Sequence, residues 1–183
     1  MARDIAAAVS RAGTATVAGR FQRHVSLRQE PLRGSRSGGR WGPEGAYPVL
    51  YLGRPTDSVV VEAYRHLVET VEGMQPQMVG PRRLVTCEVE ITSVLDLRES
   101  TGRNAISLTI ADLCSEVGDY GACHRASRAA HELGLHGIIA PAAGGFGETL
   151  AVFEDQLPDG EQLRLVDEQT WESLPTDPRV EHR

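Results

Sequence analysis

Residues 49–73 read VLYLGRPTDSVVVEAYRHLVETVEG, and this stretch sets the fold class. Val49 to Leu52 is an apolar run of the length of a short buried strand. Thr56 or Asp57 then caps a helix that runs to about Glu72, where Gly73 ends it. Val60, Ala63, Tyr64, Leu67 and Val71 fall on one face of that helix, while Glu62, Arg65, His66, Glu69 and Glu72 fall on the other, the period of an amphipathic helix. Downstream, Val85, Cys87, Val89 and Ile91 alternate with Thr86, Glu88 and Glu90, the pattern of a strand with one buried face, and Val94 to Leu97 continues or neighbours it. Two helices follow, predicted over 104–117 and 122–133, then strands at 138–140 and 149–153 and one more around Leu163 and Leu165. These signals come in runs instead of alternating strictly. They predict an α+β domain with a mixed, mostly antiparallel sheet and flanking helices, not a doubly wound parallel sheet.

The 183 residues suit one domain. Residues 1–18 are alanine-rich with a break at Gly13 and predict a short, weakly attached N-terminal helix. Residues 19–174 are the expected main domain, and 175–183 a frayed tail. Between Pro31 and Pro48 the chain is dense in Gly, Arg, Ser and Pro, the composition of an extended functional loop. Cys87, Cys114 and Cys123 are odd in number and widely spaced, which predicts reduced, mostly buried thiols rather than disulfides or a zinc site. No apolar run reaches the ~18–20 residues of a membrane span. The stretch Ile5 to Val9 is too brief for a secretory signal, so a cytoplasmic protein is expected.

The net charge is −6, and all 19 basic residues are arginines. Arg20, Arg23, Arg28, Arg33, Arg36 and Arg40 stand against the single acid Glu30 between positions 20 and 40, which leaves +5 there and −11 elsewhere. Such a concentration in an acidic chain reads either as a localised anion site or as a solvated basic loop; a broad nucleic-acid face is not expected. Known nucleotide motifs fail. Without lysine there is no P-loop, and Leu150 stands where a dinucleotide loop after Gly145-Phe146-Gly147 needs its third glycine. His131-Glu132 begins a zinc-helix motif that Leu135 breaks, so no metal site is expected.

What remains is a constellation in fixed order. Arg20-Phe21 opens the basic segment, Gly38-Gly39-Arg40-Trp41-Gly42 lies in the loop, Tyr51 sits on the strand and Glu62 on the helix. Together with Val94-Leu95-Asp96-Leu97, Cys123-His124 and Gly137-Ile138-Ile139-Ala140-Pro141-Ala142, this order resembles the RES-domain family of bacterial type II toxin-antitoxin systems, over roughly residues 19–166. By that resemblance Arg40 is the family Arg and Glu62 the family Glu, while Ala142 stands where the family Ser usually follows the late Pro. The segment Pro141-Ala142-Ala143-Gly144-Gly145 is similar to the branch described as NAD phosphorylases.

The resemblance implies a core related to ADP-ribosyltransferases and an enzyme that removes nicotinamide from NAD, by phosphorolysis or hydrolysis. NAD is then the substrate, inorganic phosphate a possible co-substrate, and no cofactor is expected. It also implies a cognate antitoxin with a helix-turn-helix DNA-binding region, forming a hetero-oligomer with this chain. Transfer of ADP-ribose to a macromolecule and non-catalytic nucleotide binding are the alternatives. The residue chemistry fits. Glu62 can stabilise an oxocarbenium-like state or grip a ribose hydroxyl, or else it is a solvent-facing Glu supported by Arg65 and His66. Arg40 offers a planar fork for a pyrophosphate, and Arg20 either reaches the same phosphates or is solvated. Tyr51 and Trp41 either flank the nicotinamide ring or pack in the core; Phe21 is core or pocket wall. Ala142, Gly144 and Gly145 let backbone N–H groups approach substrate or form a tight turn.

Overall fold

The computed structural model describes residues 2–180. Its strands are β1 (Thr14–Ser26), β2 (Val49–Arg54), β3 (Arg82–Asp96), β4 (Gly137–Pro141), β5 (Glu148–Phe153) and β6 (Gln162–Trp171). Its helices are α1 (Ala2–Ala12), α2 (Thr56–Leu67), α3 (Ser100–Ala105), α4 (Ile110–Leu113) and α5 (Gly121–Glu132). The strand pairings close on themselves in the order β1–β2–β5–β4–β3–β1. Closure is possible because β3 is 15 residues long. It carries β1 along one edge and, along the other, first β6 and then β4. Among the described residues only the β3–β4 pairing is parallel, so the sheet is mixed and mostly antiparallel, as expected.

The alternation of side chains along each strand divides the core in two. Val17, Phe21, Leu50, Leu52, Val89, Ile91, Ile139, Leu150 and Val152 meet one another inside the ring. Val49, Ile138, Ala140, Ala151 and Phe153 point outward and are covered by α1 and α5. Strands β4 and β5 are thus buried on both faces, which is why they read as continuous apolar runs. The alanines Ala126, Ala129 and Ala130 give α5 a flat face that lies close against the sheet.

Several sequence expectations change here. The predicted boundary at 18/19 falls inside β1, which pairs with β3 from Thr14 to Ser26. Its inward positions include Gly19 and Arg23 among Val17, Phe21 and Val25, and a polar residue in the apolar register hides the strand. Nor is the N-terminal helix weakly attached: Val9 is 1 % exposed and packs with Ala8 into the cluster that α5 completes. The tail is anchored as far as it is described, because the Tyr64 hydroxyl donates to Pro175 O (2.8 Å), Pro178 is buried and Arg179 pairs with Asp177 and Glu69. Residues 181–183 lie outside the described residues. Helix α2 ends at Leu67 instead of near Glu72, and Val71 beyond it is exposed, so nothing buries a further apolar turn. The single helix expected over 104–117 is two short ones. Thr109 and Asp112 form a reciprocal capping box that starts α4 afresh after the left-handed Ser107. Of the cysteines, Cys87 and Cys123 are buried and Cys114 is exposed.

Candidate active site

The ring of strands is weakest between β1 and β2, whose ladder has a single pair, Gln22 with Gly53. Where these strands part, a cleft of about 240 Å³ opens. Gln22, Arg23 and His24 form one wall and Tyr51, Leu52 and Gly53 the opposite one. Helix α2 contributes Ser58, Val59, Glu62, Arg65 and His66. Arg40, Trp41, Val117 and Tyr120 close one end, with Pro141, Ala143 and Thr149 also on the lining.

The Gly-Gly-Arg-Trp turn is built around a tyrosine. Gly39 and Gly42 exchange backbone hydrogen bonds (2.9 and 3.2 Å), and the Tyr51 hydroxyl beneath them accepts the Trp41 N–H at 2.9 Å. A Cβ on Gly39 would stand 2.7 Å from that hydroxyl, and one on Gly42 would stand 2.8 Å from Val49 Cγ2, so both positions require glycine. His124 Nε2 donates to Gly39 O at 2.8 Å and pins the turn from α5. Burial pushes the Tyr51 phenol well above its ordinary value, so it stays neutral and serves as a fixed hydrogen-bonding post. Trp41 is buried in the outer core with only part of its surface on the cleft.

Arg40 is in the cleft, but its fork is already engaged. Nη1 donates to Asp112 O (3.0 Å) and Ser115 Oγ (2.8 Å), Nη2 donates to Ser115 O (2.9 Å), and the guanidinium lies 4.7 Å over the Tyr120 ring. It therefore ties the 112–120 loop to the turn, and the bidentate grip on a pyrophosphate expected of it is not its arrangement here.

Glu62 and Arg65 do not face solvent. Glu62 Oε2 lies 3.3 Å from His66 Nε2, while Oε1 is buried without a hydrogen-bond partner, 3.8 Å from Arg65 Nε. Among the described residues Arg65 Nε has no hydrogen-bond partner either, nor does the Ser58 Oγ one turn earlier on a residue that is 1 % exposed. Ser58, Glu62 and Arg65 recur at four and three residues, on one face of α2. Buried polar atoms are nearly always satisfied. Here three atoms without a hydrogen bond cluster on the α2 wall of the cleft, and two of them, Glu62 Oε1 and Arg65 Nε, face each other as an ion pair. The i, i+4 arithmetic that put Glu62 and Arg65 on the polar face was correct; what the helix alone could not reveal is that this face looks into a cleft.

Four of the expected site residues thus converge: Arg40, Trp41, Tyr51 and Glu62. Five do not line the cleft. Arg20 points outward from β1, with its side chain 71 % exposed and 3.8 Å from Glu88. Phe21 is fully buried inside the ring under the Arg54 guanidinium (4.2 Å). Ala142, Gly144 and Gly145 form the tight turn that was the other option for them. Ala142 N–H donates to Gly147 O, Gly145 N–H donates to Ala142 O, and a Cβ on Gly144 would overlap Val61. Their neighbours Pro141 and Ala143 reach the cleft instead.

Arg23 replaces Arg20. A step of three residues along a strand reverses the side of the sheet, and Arg23 turns to the inner wall, where Nη1 donates to Arg33 O at 3.1 Å. Burial lowers its pKa to about 10, which leaves it cationic at neutral pH. Beside it His24 is held neutral, its pKa pulled down to about 3 by burial and by Arg82, which donates to Nδ1. Unfolding restores an ordinary histidine, so the unfolded chain binds the extra proton between pH 6.5 and about 3. Stability contributed by neutral His24 is complete above pH 6.5 and is lost as pH falls, with a slope up to about 1.4 kcal/mol per pH unit. Urea unfolding of wild type and His24→Gln across pH 4 to 7 checks this; the variant should lose part of that acid-side slope.

The RES domain family matches residues 3–174. The chain belongs to the RES domain family. Relatives include the NAD(+) phosphorylase MbcT of Mycobacterium bovis and of two Mycobacterium tuberculosis strains, each 30 % identical over 146 residues, spanning 78 % of this chain and 77 % of theirs. Among solved structures, the crystal structure of the M. tuberculosis MbcT–MbcA toxin-antitoxin complex matches with a TM-score of 0.80 and 26 % identity over 92 % of each chain. Within the RES sequence pattern, the cleft brings together the Gly-Gly-Arg-Trp turn, the strand tyrosine and the helical glutamate. Ala142 is buried in its turn.

Proposed function

We propose that this chain is an NAD phosphorylase toxin: it breaks the bond between nicotinamide and ribose and passes ADP-ribose to inorganic phosphate, depleting cellular NAD. The observation that carries this is the Glu62 carboxylate, one oxygen of it buried without a hydrogen bond, in a cleft walled by arginines and aromatic rings. Loss of nicotinamide develops positive charge on the sugar, and a preorganised carboxylate in a partly water-excluded cleft stabilises it. At about 240 Å³ the cleft is smaller than the ~300–1,000 Å³ of sites that enclose a whole drug-sized ligand. It therefore takes the nicotinamide riboside end, with the pyrophosphate directed toward Arg23 on the opposite wall. The relatives named as NAD(+) phosphorylases support phosphate as acceptor, and the solved toxin-antitoxin complex supports a hetero-oligomer with an antitoxin that blocks the cleft. DNA contact belongs to a helix-turn-helix region of that partner.

Purified chain incubated with NAD is expected to release nicotinamide and ADP-ribose 1″-phosphate at a rate that rises with phosphate. Equal rates with and without phosphate would assign hydrolysis instead, and labelled ADP-ribose on macromolecules would assign transferase activity.

A further inference from the structure

Phosphorolysis requires a second anion beside the breaking bond, and the carboxylate that stabilises the sugar cation repels it. A phosphate dianion a few ångströms from a carboxylate needs a cation between them. Among the described residues, Arg65 and His66 are the cationic or protonatable groups within 4.0 Å of Glu62. His66 is about half exposed, at the rim. Arg65 is inside, its side chain 15 % exposed.

The three arginines of the cleft differ in what they have left to give. Arg40 spends both terminal nitrogens on Asp112 and Ser115. Arg23 stands on the β1 wall and donates to Arg33 O. Arg65 donates once, through Nη2 to Ser115 O at 3.2 Å, while its buried Nε faces Glu62 Oε1 at 3.8 Å, an ion pair without a hydrogen bond. The Ser115 carbonyl also accepts Arg40 Nη2, so the loop that Arg40 fixes in turn orients Arg65. Nη1, which no hydrogen bond holds among the described residues, is the donor left for an oxygen of a tetrahedral oxyanion.

We propose that Arg65 binds the attacking inorganic phosphate and thereby sets phosphorolysis over hydrolysis; this rests on the phosphorolysis proposed above. In the step itself, the C1″–N bond breaks and its electron pair neutralises the pyridinium nitrogen of the departing nicotinamide. A phosphate oxygen held by Arg65 donates a lone pair to C1″, forming the C–O bond of ADP-ribose 1″-phosphate. Nη2 remains on Ser115 O and keeps the guanidinium from collapsing onto Glu62.

The test compares wild type with Arg65→Gln and Arg65→Lys, measuring initial NAD loss against phosphate concentration and the ratio of ADP-ribose 1″-phosphate to ADP-ribose by chromatography. In Arg65→Gln the KM for phosphate should rise at least tenfold while the KM for NAD moves less than threefold, and water should take a larger share of the product. Arg65→Lys should recover part of the phosphate affinity. An unchanged phosphate KM and product ratio in Arg65→Gln overturns the proposal. So does a collapse of turnover with phosphate KM unchanged, which would make Arg65 a positioning residue for Glu62. Should Arg65→Gln fail to fold, Arg65→Lys decides by the same two readouts, since a point charge without the planar fork still weakens phosphate selectively. If wild-type turnover itself ignores phosphate, it is the phosphorolysis that fails, and this is visible before any variant is compared.

Discussion

Replacing Glu62 with Gln should lower NAD turnover at least about a thousandfold while leaving the fold intact, because the substitution keeps shape and removes charge where the sugar becomes cationic. Helix α2 is held by Val59, Val60, Val61 and Ala63 on its buried side, so its placement does not depend on the carboxylate. The loss should appear in kcat more than in the KM for NAD, since charge on the sugar develops only as the bond breaks. Cells expressing wild type should lose NAD, and cells expressing Glu62→Ala should not. A Glu62→Gln protein with wild-type kcat would remove the carboxylate from the chemistry.

Arg40→Met should be costly in a different way, damaging stability and catalysis together. It removes three charge-assisted bonds, to Asp112 O, Ser115 Oγ and Ser115 O, leaving these groups with their weaker remaining partners, and it removes the cation over Tyr120. Losing charge-assisted bonds to partly buried acceptors predicts about 3 kcal/mol of destabilisation, a fall of several degrees in Tm. Turnover should fall roughly a hundredfold, because the loop carrying Val117 and Tyr120 at the end of the cleft is released and Arg65 loses its anchor. Arg40→Lys should recover little of either, since one ammonium cannot span the three acceptors. Calorimetry and NAD kinetics on the same preparations separate the two losses.

Strand β3, strands β4 and β5, helix α5 and the amphipathic character of α2 were legible in the sequence because each buries side chains at its own period. β1 was not, since Gly19 and Arg23 occupy inward positions of a strand whose register is otherwise apolar. The same inward turn made Arg23 invisible as a site residue and drew attention to Arg20, which has the identical charge on the wrong side of the sheet. Tyr51, Trp41, Arg40 and Glu62 could be found because their order along the chain is a family pattern. Ser58, Arg65, Ser115 and Tyr120 carry no such pattern. Their roles emerge only when α2 and the 112–120 loop approach from either side, a tertiary relation with no local signature.

A ring fastened by one rung between β1 and β2 is a purse with a loose clasp. Every other pairing in the ring has three or more rungs among the described residues, so breathing motions of this barrel concentrate at the cleft. A molecule reaching from Arg23 across to Glu62 supplies the cross-links the backbone omits, so occupancy and mechanical tightening are one event, and resistance to heat rises with the concentration of whatever fills the gap.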